Sequence, residues 1–157
     1  MFKRTVEETP NEPFLGTRPV LAERDAQGKT QYGAYVWKTF AEVNELASNF
    51  AHGMENLQLC PKVEAEGKTW RFIGVWAKNC WEWTNTLLAS MHIQVTTVGF
   101  YDAQSQEQVD FIIKQTELKT VVCTENYANR LVKMRSLGMV PNVKTLVLME
   151  SPSPQFV

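Results

Sequence analysis

Residues 70–102 read Trp70-Arg-Phe-Ile-Gly-Val-Trp76-Ala-Lys-Asn79-Cys80-Trp-Glu82-Trp83-Thr-Asn-Thr-Leu87-Leu88-Ala-Ser-Met91-His92-Ile-Gln-Val95-Thr-Thr-Val-Gly99-Phe100-Tyr101-Asp102. The nearly continuous apolar run from Trp70 to Trp76 suits a strand buried on both faces. Asn79 and Glu82 stand at the spacing of a helix cap, and Trp83, Leu87, Leu88 and Met91 follow on one helical face. Val95 to Phe100 is β-rich again. Strand, turn, capped helix and strand in this order predict a right-handed crossover between two parallel strands, half of a layered α/β sheet.

The alternation continues toward the C-terminus. Ser105 and Gln108 form a capping box before Val109, Ile112 and Ile113, and Lys119 to Cys123 is a short β-branched strand. Thr124 is placed to cap a helix through Tyr127, Leu131 and Met134 that stops near Gly138 and Pro141. Lys144 to Met149 supplies a further strand, and Ser151-Pro-Ser-Pro154 reads as a loop or linker. The fold class is therefore α/β, a mostly parallel sheet with helices on both faces.

Toward the N-terminus, Pro61 to Thr69 is polar and turn-like. Thr39 and Glu42 make another capping box, ahead of Phe40, Val43, Leu46, Ala47, Phe50, Ala51, Met54 and Leu57 at helical spacing. Val20–Arg24 and Tyr32–Trp37 flank the turn-like Asp25-Ala-Gln-Gly28 and predict a β-hairpin. Residues 1–19 hold three of the seven prolines and no period, so they read as an extended arm. The expected organisation is an arm over 1–19, one α/β domain over 20–150 and a closing loop over 151–157.

Composition bounds the function. With 16 basic and 17 acidic residues the net charge is −1, which supplies no cationic field for a phosphate backbone, so nucleic acid is not an expected partner. Cys60, Cys80 and Cys123 are odd in number and widely spaced, which fits a reducing, intracellular compartment, cytoplasmic or organelle-associated. The start of the chain meets Glu7, Glu8 and Pro10 before any apolar core of a signal peptide forms. Apolar stretches are far shorter than the roughly 20 residues of a membrane-spanning helix, so any membrane association is expected to be peripheral or through a partner.

Chemistry-bearing motifs are few. A dinucleotide site needs glycines in the first strand-to-helix turn, and Ala77-Lys-Asn-Cys80 has none; the pattern G-x-x-x-x-G-K-[ST] is also absent. Cys80 would stand in the first turn of a helix, where the dipole favours a thiolate, yet neither His52 nor His92 can be placed beside it, and we read it as a packed thiol. No C-x-x-C or H-x-x-x-H spacing supports a metal. Trp37, Trp70, Trp76, Trp81 and Trp83 read as core and interface residues rather than a stacking platform. Tyr101-Asp102 follows a parallel strand, where ligands of open sheets collect; the reading we favour is that Asp102 and Ser105 organise the loop and cap the next helix.

The segment Gly74–Trp83, the pair Tyr101-Asp102, and Pro13-Phe-Leu-Gly16-Thr-Arg18, Tyr35-Val-Trp37-Lys-Thr39-Phe40-Ala-Glu42-Val43 and Val147-Leu-Met149 together resemble the N-terminal portion of long-chain fatty acid–CoA ligases, the acyl-CoA synthetases of the AMP-binding, adenylate-forming superfamily. Gly99-Phe100 departs from that family's usual Pro-Leu. The resemblance implies an enzyme that uses ATP and magnesium to form an acyl-adenylate and then passes the acyl group to coenzyme A. It also implies a T-S-G-T-T-G-x-P-K type phosphate loop, an acidic ribose ligand and a C-terminal lysine, none of which occurs in residues 1–157. No catalytic, cofactor-binding or metal residue is therefore assigned, and the chain alone is expected to bind no cofactor and to be inactive. The expected partner is the remainder of the ligase. The alternative is a shortened non-catalytic paralogue serving as a structural or interaction subunit of a larger assembly.

Overall fold

The computed structural model describes residues 2–25 and 27–156, in two units that divide after Ala47. Met1, Ala26 and Val157, which belong to the expected arm, turn and closing loop, lie outside the described residues. The first unit holds α1 (Phe2–Glu8), β1 (Pro13–Thr17), β2 (Val20–Arg24), β3 (Thr30–Tyr32), β4 (Val36–Thr39) and the start of α2 (Phe40–Asn56).

Residues 1–19, expected to be extended, contain a helix and a paired strand. The Phe2 ring packs on Phe14 and Phe40 with centroids 5.5 and 6.2 Å away, and Phe14 stacks on Phe40 at 4.4 Å. These partners lie in β1 and α2, so a local reading of the prolines could not find them. β2 and β3 form the predicted hairpin around a turn in which Asp25 Oδ1 accepts from the amides of Gln27 and Lys29 at 3.0 and 2.7 Å. The expected second strand, 32–37, is split. Arg18 Nε and Nη2 donate to the carbonyls of Gly33 and Tyr32 at 2.9 and 3.0 Å, occupying acceptors that a continuing ladder would use. β4 instead pairs antiparallel with β1, Trp37 opposite Gly16.

The capping box of α2 is formed as predicted, with the Glu42 amide donating to Thr39 Oγ1 at 3.2 Å and the Thr39 amide to Glu42 Oε2 at 2.7 Å. Val43, Ala47, Ala51 and Met54 are buried, whereas Leu57 is 71% exposed. The helix ends at Asn56, so Leu57 lies one residue beyond its apolar face, and Gln58 at a φ of 50° turns the chain away.

The second unit continues with β5 (Lys62–Ala65), β6 (Lys68–Trp76), α3 (Trp81–His92), β7 (Thr96–Gly99), α4 (Gln106–Gln115), β8 (Thr120–Cys123), α5 (Glu125–Ser136) and β9 (Thr145–Leu148). Pro61–Thr69, expected as a turn, is a strand and a hairpin. β5 pairs antiparallel with the start of β6 around Glu66 and Gly67, both at positive φ, the geometry of a type I′ turn. Its single buried residue, Val63, leaves a pattern too polar to reveal a strand. The rest of β6 pairs parallel with β7 on one edge and β8 on the other, and β8 pairs parallel with β9.

The parallel order is thus β7-β6-β8-β9. Burial on both faces holds only for Ile73 to Trp76, because the first half of β6 extends into the hairpin. Strand alternation sends Gly74 and Trp76 to one face and Ile73 and Val75 to the other. Trp76 shares a buried cluster with Phe100, Val109 and Ile113 of α4, and Tyr127, Leu131 and Met134 of α5, so these helices cover its face. Right-handed crossovers running in opposite directions from β6 put α3 on the other face. Gly74 is required by contact: a Cβ there would lie 2.7 Å from Leu118 Cδ2 and 3.1 Å from atoms of Phe100 and Val121.

Helix starts differ in detail from expectation. The Ser105–Gln108 box is complete. At α3 the N-cap is Cys80 rather than Asn79, without a side-chain cap. The α3 face also shifts, burying Asn85, Thr86, Leu88, Ala89 and Ser90 while Met91 is exposed. Hydroxyls satisfy part of this polar face, Thr86 Oγ1 donating to Glu82 O at 2.8 Å and Ser90 Oγ meeting Thr97 Oγ1 at 2.7 Å, whereas the buried Asn85 Oδ1 has no hydrogen-bond partner among the described residues. Thr124 occupies the N-cap of α5, but the Glu125 amide donates to the Glu150 carboxylate at 2.6 Å.

Candidate functional site

In an open α/β sheet the carboxyl ends of the parallel strands are where ligands gather, most of all where the strand order reverses. Here the reversal lies between β6 and β8, since the chain runs from β6 outward to β7 and then back past β6 to β8. A cleft of about 730 Å³ opens at this end of β6 and β7. Ala77, Lys78 and Asn79 after β6 form one side, Gly99 at the end of β7 and Phe100 to Asp102 after it the other, and Trp83 of α3 lines it.

The loop after β7 is fixed from α5. Tyr127 is buried, and its hydroxyl donates to Asp102 Oδ1 at 2.7 Å. Burial first, then the bond to Asp102 and its negative charge, push the Tyr127 pKa up to about 12, so the phenol stays a donor. The Tyr127 ring stacks on Trp76 at 4.9 Å, Phe100 tilts against Trp76 at 5.5 Å, and the Arg130 guanidinium lies 4.8 Å from the Trp76 ring centre. Arg130 Nη2 then donates to Gln104 O at 2.6 Å, while Gln104 Oε1 accepts from the Tyr101 amide at 2.8 Å. Tyr101 itself is 76% exposed.

Asp102 therefore does not cap α4, a task that Ser105 performs. Its partner is a tyrosine on the next helix, a pairing with no local spacing to announce it. Arg130, absent from the sequence expectations, completes the loop's anchorage; the signal for it is its place one helical turn beyond Tyr127. Tyr101 and Asp102 do reach the cleft as a pair, alongside Lys78 and Asn79.

Cys80 is drawn away from thiolate chemistry. Burial raises its pKa, the reverse of what a nucleophile requires, and its Sγ donates to Met149 Sδ at 3.8 Å. Cys60 and Cys123 are buried, with pKa values pushed by desolvation to about 11 and about 12. His52 and His92 form no cluster: among the described residues no group of three or more His, Cys, Asp or Glu side chains is placed to hold a metal. Of the five tryptophans Trp76 is core, while Trp37 is 53% exposed.

The turns at this edge do not fit a nucleotide triphosphate. None of the segments 77–80, 100–105 and 124 contributes glycine amides, and the first amide of α5, where a phosphate would bind, already holds the Glu150 carboxylate. What the cleft offers is one cation, Lys78, one pinned carboxylate, Asp102, and three aromatic side chains, Trp83, Phe100 and Tyr101.

Sequence comparisons give the lineage, and the structural comparison gives the fold. The chain is 29% identical over 150 residues to the peroxisomal acyl-CoA ligase 891 of Penicillium brevicompactum, covering 96% of this chain and 20% of that protein. It is 29% identical over 133 residues to long chain acyl-CoA synthetase 4 of Arabidopsis thaliana, covering 85% and 18%. It superposes with a TM-score of 0.75 on the A domain of a carboxylic acid reductase from Segniliparus rugosus, solved with AMP and a carboxylic acid, at 16% identity over 98% of this chain and 24% of that one. The last shows a shared fold only. The chain spans about a fifth of the length of the curated relatives it matches. With the AMP-binding enzyme family model matching residues 2–155, the chain belongs to the AMP-binding enzyme family.

Proposed function

We propose that these residues form the opening part of the catalytic domain of a long-chain fatty acid–CoA ligase, and that residues 1–157 alone perform neither adenylation nor thioester formation. The observation that carries this is the pairing of family likeness over residues 2–155 with strand-end turns that lack the glycines of a phosphate cradle. The complete ligase would bind ATP, magnesium and coenzyme A through residues beyond those present. The role of this part is then to build one wall of the domain and to hold the Lys78–Asp102 cleft rigid. An intracellular setting is supported by three unpaired cysteines and by a peroxisomal relative. Among the described residues no helix is long and apolar enough to cross a membrane.

Exposed Tyr35, Val36 and Trp37 in the first unit favour burial by further polypeptide, which the ligase remainder would supply. The same exposure is what a shortened, non-catalytic subunit would show. The native polypeptide's intact mass separates them. A mass several times 18.0 kDa is expected, together with acyl-CoA formation when the remaining ligase sequence is present. A native chain of this size, bound stably in an assembly that makes no acyl-CoA, would overturn the ligase assignment in favour of the subunit.

A further inference from the structure

The ligase reading makes no use of Ser151-Pro-Ser-Pro154. This run is latched to the start of α5 by two carboxylates that cross over. Glu150 Oε1 accepts from the Glu125 amide, and the Glu125 carboxylate accepts from both the amide and the hydroxyl of Ser153, each contact being 2.6 Å. The Ser153 hydroxyl, then its amide, holds the Glu125 carboxyl below its usual range, so an ionised acceptor faces this serine. Beyond it, the Phe156 amide donates to Ser153 O at 2.9 Å and the Phe156 ring packs against the Trp76 cluster. Ser151, Pro152 and Pro154 are exposed, and Ser153 is half-buried.

We propose that Ser153 is a phosphorylation site for a serine kinase that selects proline directly after the acceptor, and that phosphorylation unlatches residues 150–156 from α5. In the transfer, Ser153 Oγ bonds to the γ-phosphorus of ATP and the bond from that phosphorus to the β–γ bridging oxygen breaks. ADP leaves, and the hydroxyl proton passes to the kinase's base and on to solvent. The product has lost the donor that Glu125 accepted from and carries a charge of about −1.5 to −2 in its place. A helix N-terminus attracts anions, but the first amide of α5 is already taken by Glu150. The phosphate therefore meets two carboxylates where a hydroxyl met one, and Phe156 is drawn off the cluster with the rest of the segment.

The test incubates the full chain with a proline-directed kinase and ATP–magnesium, maps the phosphate by fragmentation mass spectrometry, and follows hydrogen exchange at the Glu125 and Ser153 amides. Phosphate is expected on Ser153 in the wild type and in Ser151→Ala. Both amides should then exchange about tenfold or more faster, the factor implied by losing a hydrogen bond to a charged group. Ser153→Glu should reproduce the faster exchange without kinase, and Ser151→Glu should not. Phosphate confined to Ser151, no incorporation into either the folded or the urea-unfolded chain, or phosphorylated Ser153 with both amides as protected as before would overturn the proposal.

Discussion

Trp76 concentrates the energetics of the second unit in one side chain. It is fully buried, stacked on Tyr127, with Phe100 tilted against it and Arg130 over its ring. Trp76→Ala should cost about 3–5 kcal/mol in chemical denaturation, because neighbours held by helix and strand can only partly fill the space. A loss below about 1 kcal/mol would place the side chain outside the core. Its strand neighbour Gly74 should show the opposite failure: Gly74→Ala overpacks against Leu118, Phe100 and Val121 and should destabilise by about 1–3 kcal/mol. Tyr127→Phe removes only the hydroxyl bond to Asp102, so about 1 kcal/mol is expected, with faster hydrogen exchange in the 101–104 loop. An unchanged loop would show that Arg130 and Gln104 fix it without the tyrosine.

At the level of elements, devices contained within a few residues were legible. The boxes at Thr39–Glu42 and Ser105–Gln108 formed as read, and the four parallel strands fall where the β-rich runs placed them. Devices that join distant residues were not legible: the Phe2–Phe14–Phe40 cluster that orders α1, the Arg18 bonds that divide β3 from β4, and the Glu150 carboxylate on α5. The cleft was half-visible for the same reason, since Tyr101-Asp102 stands at a strand end whereas its anchors Tyr127 and Arg130 come from another helix. The α2 box also predicts a pH effect. The Thr39 amide, then its hydroxyl, lowers the folded-state pKa of Glu42. The stabilisation is thus complete above the ordinary carboxylate pKa and is lost as pH falls through the lower folded value. The difference in melting temperature between wild type and Glu42→Ala should accordingly shrink on acidification; a constant difference would mean that charge plays no part in the cap.

For the whole molecule, we propose that the parallel sheet, with its cleft at the carboxyl ends of β6 and β7 and no glycine-rich turn among the strand-end segments 77–80 and 100–105, serves as a scaffold in a larger ligase domain. The chain belongs to the AMP-binding enzyme family and spans about a fifth of the length of the curated relatives it matches. Adenylation needs donors and a cation aimed at the transferring phosphate and carboxylate oxygens, and Lys78 and Asp102 do not make such a set. The proposed ligase reading therefore expects no turnover by residues 1–157 alone. The most direct measurement is fatty-acid-dependent ATP–pyrophosphate exchange by the purified 157-residue chain, alone and with the remaining ligase polypeptide. The account predicts no exchange alone and exchange with the remainder; exchange by the isolated chain that Cys80→Ala or Asp102→Asn abolishes would contradict it.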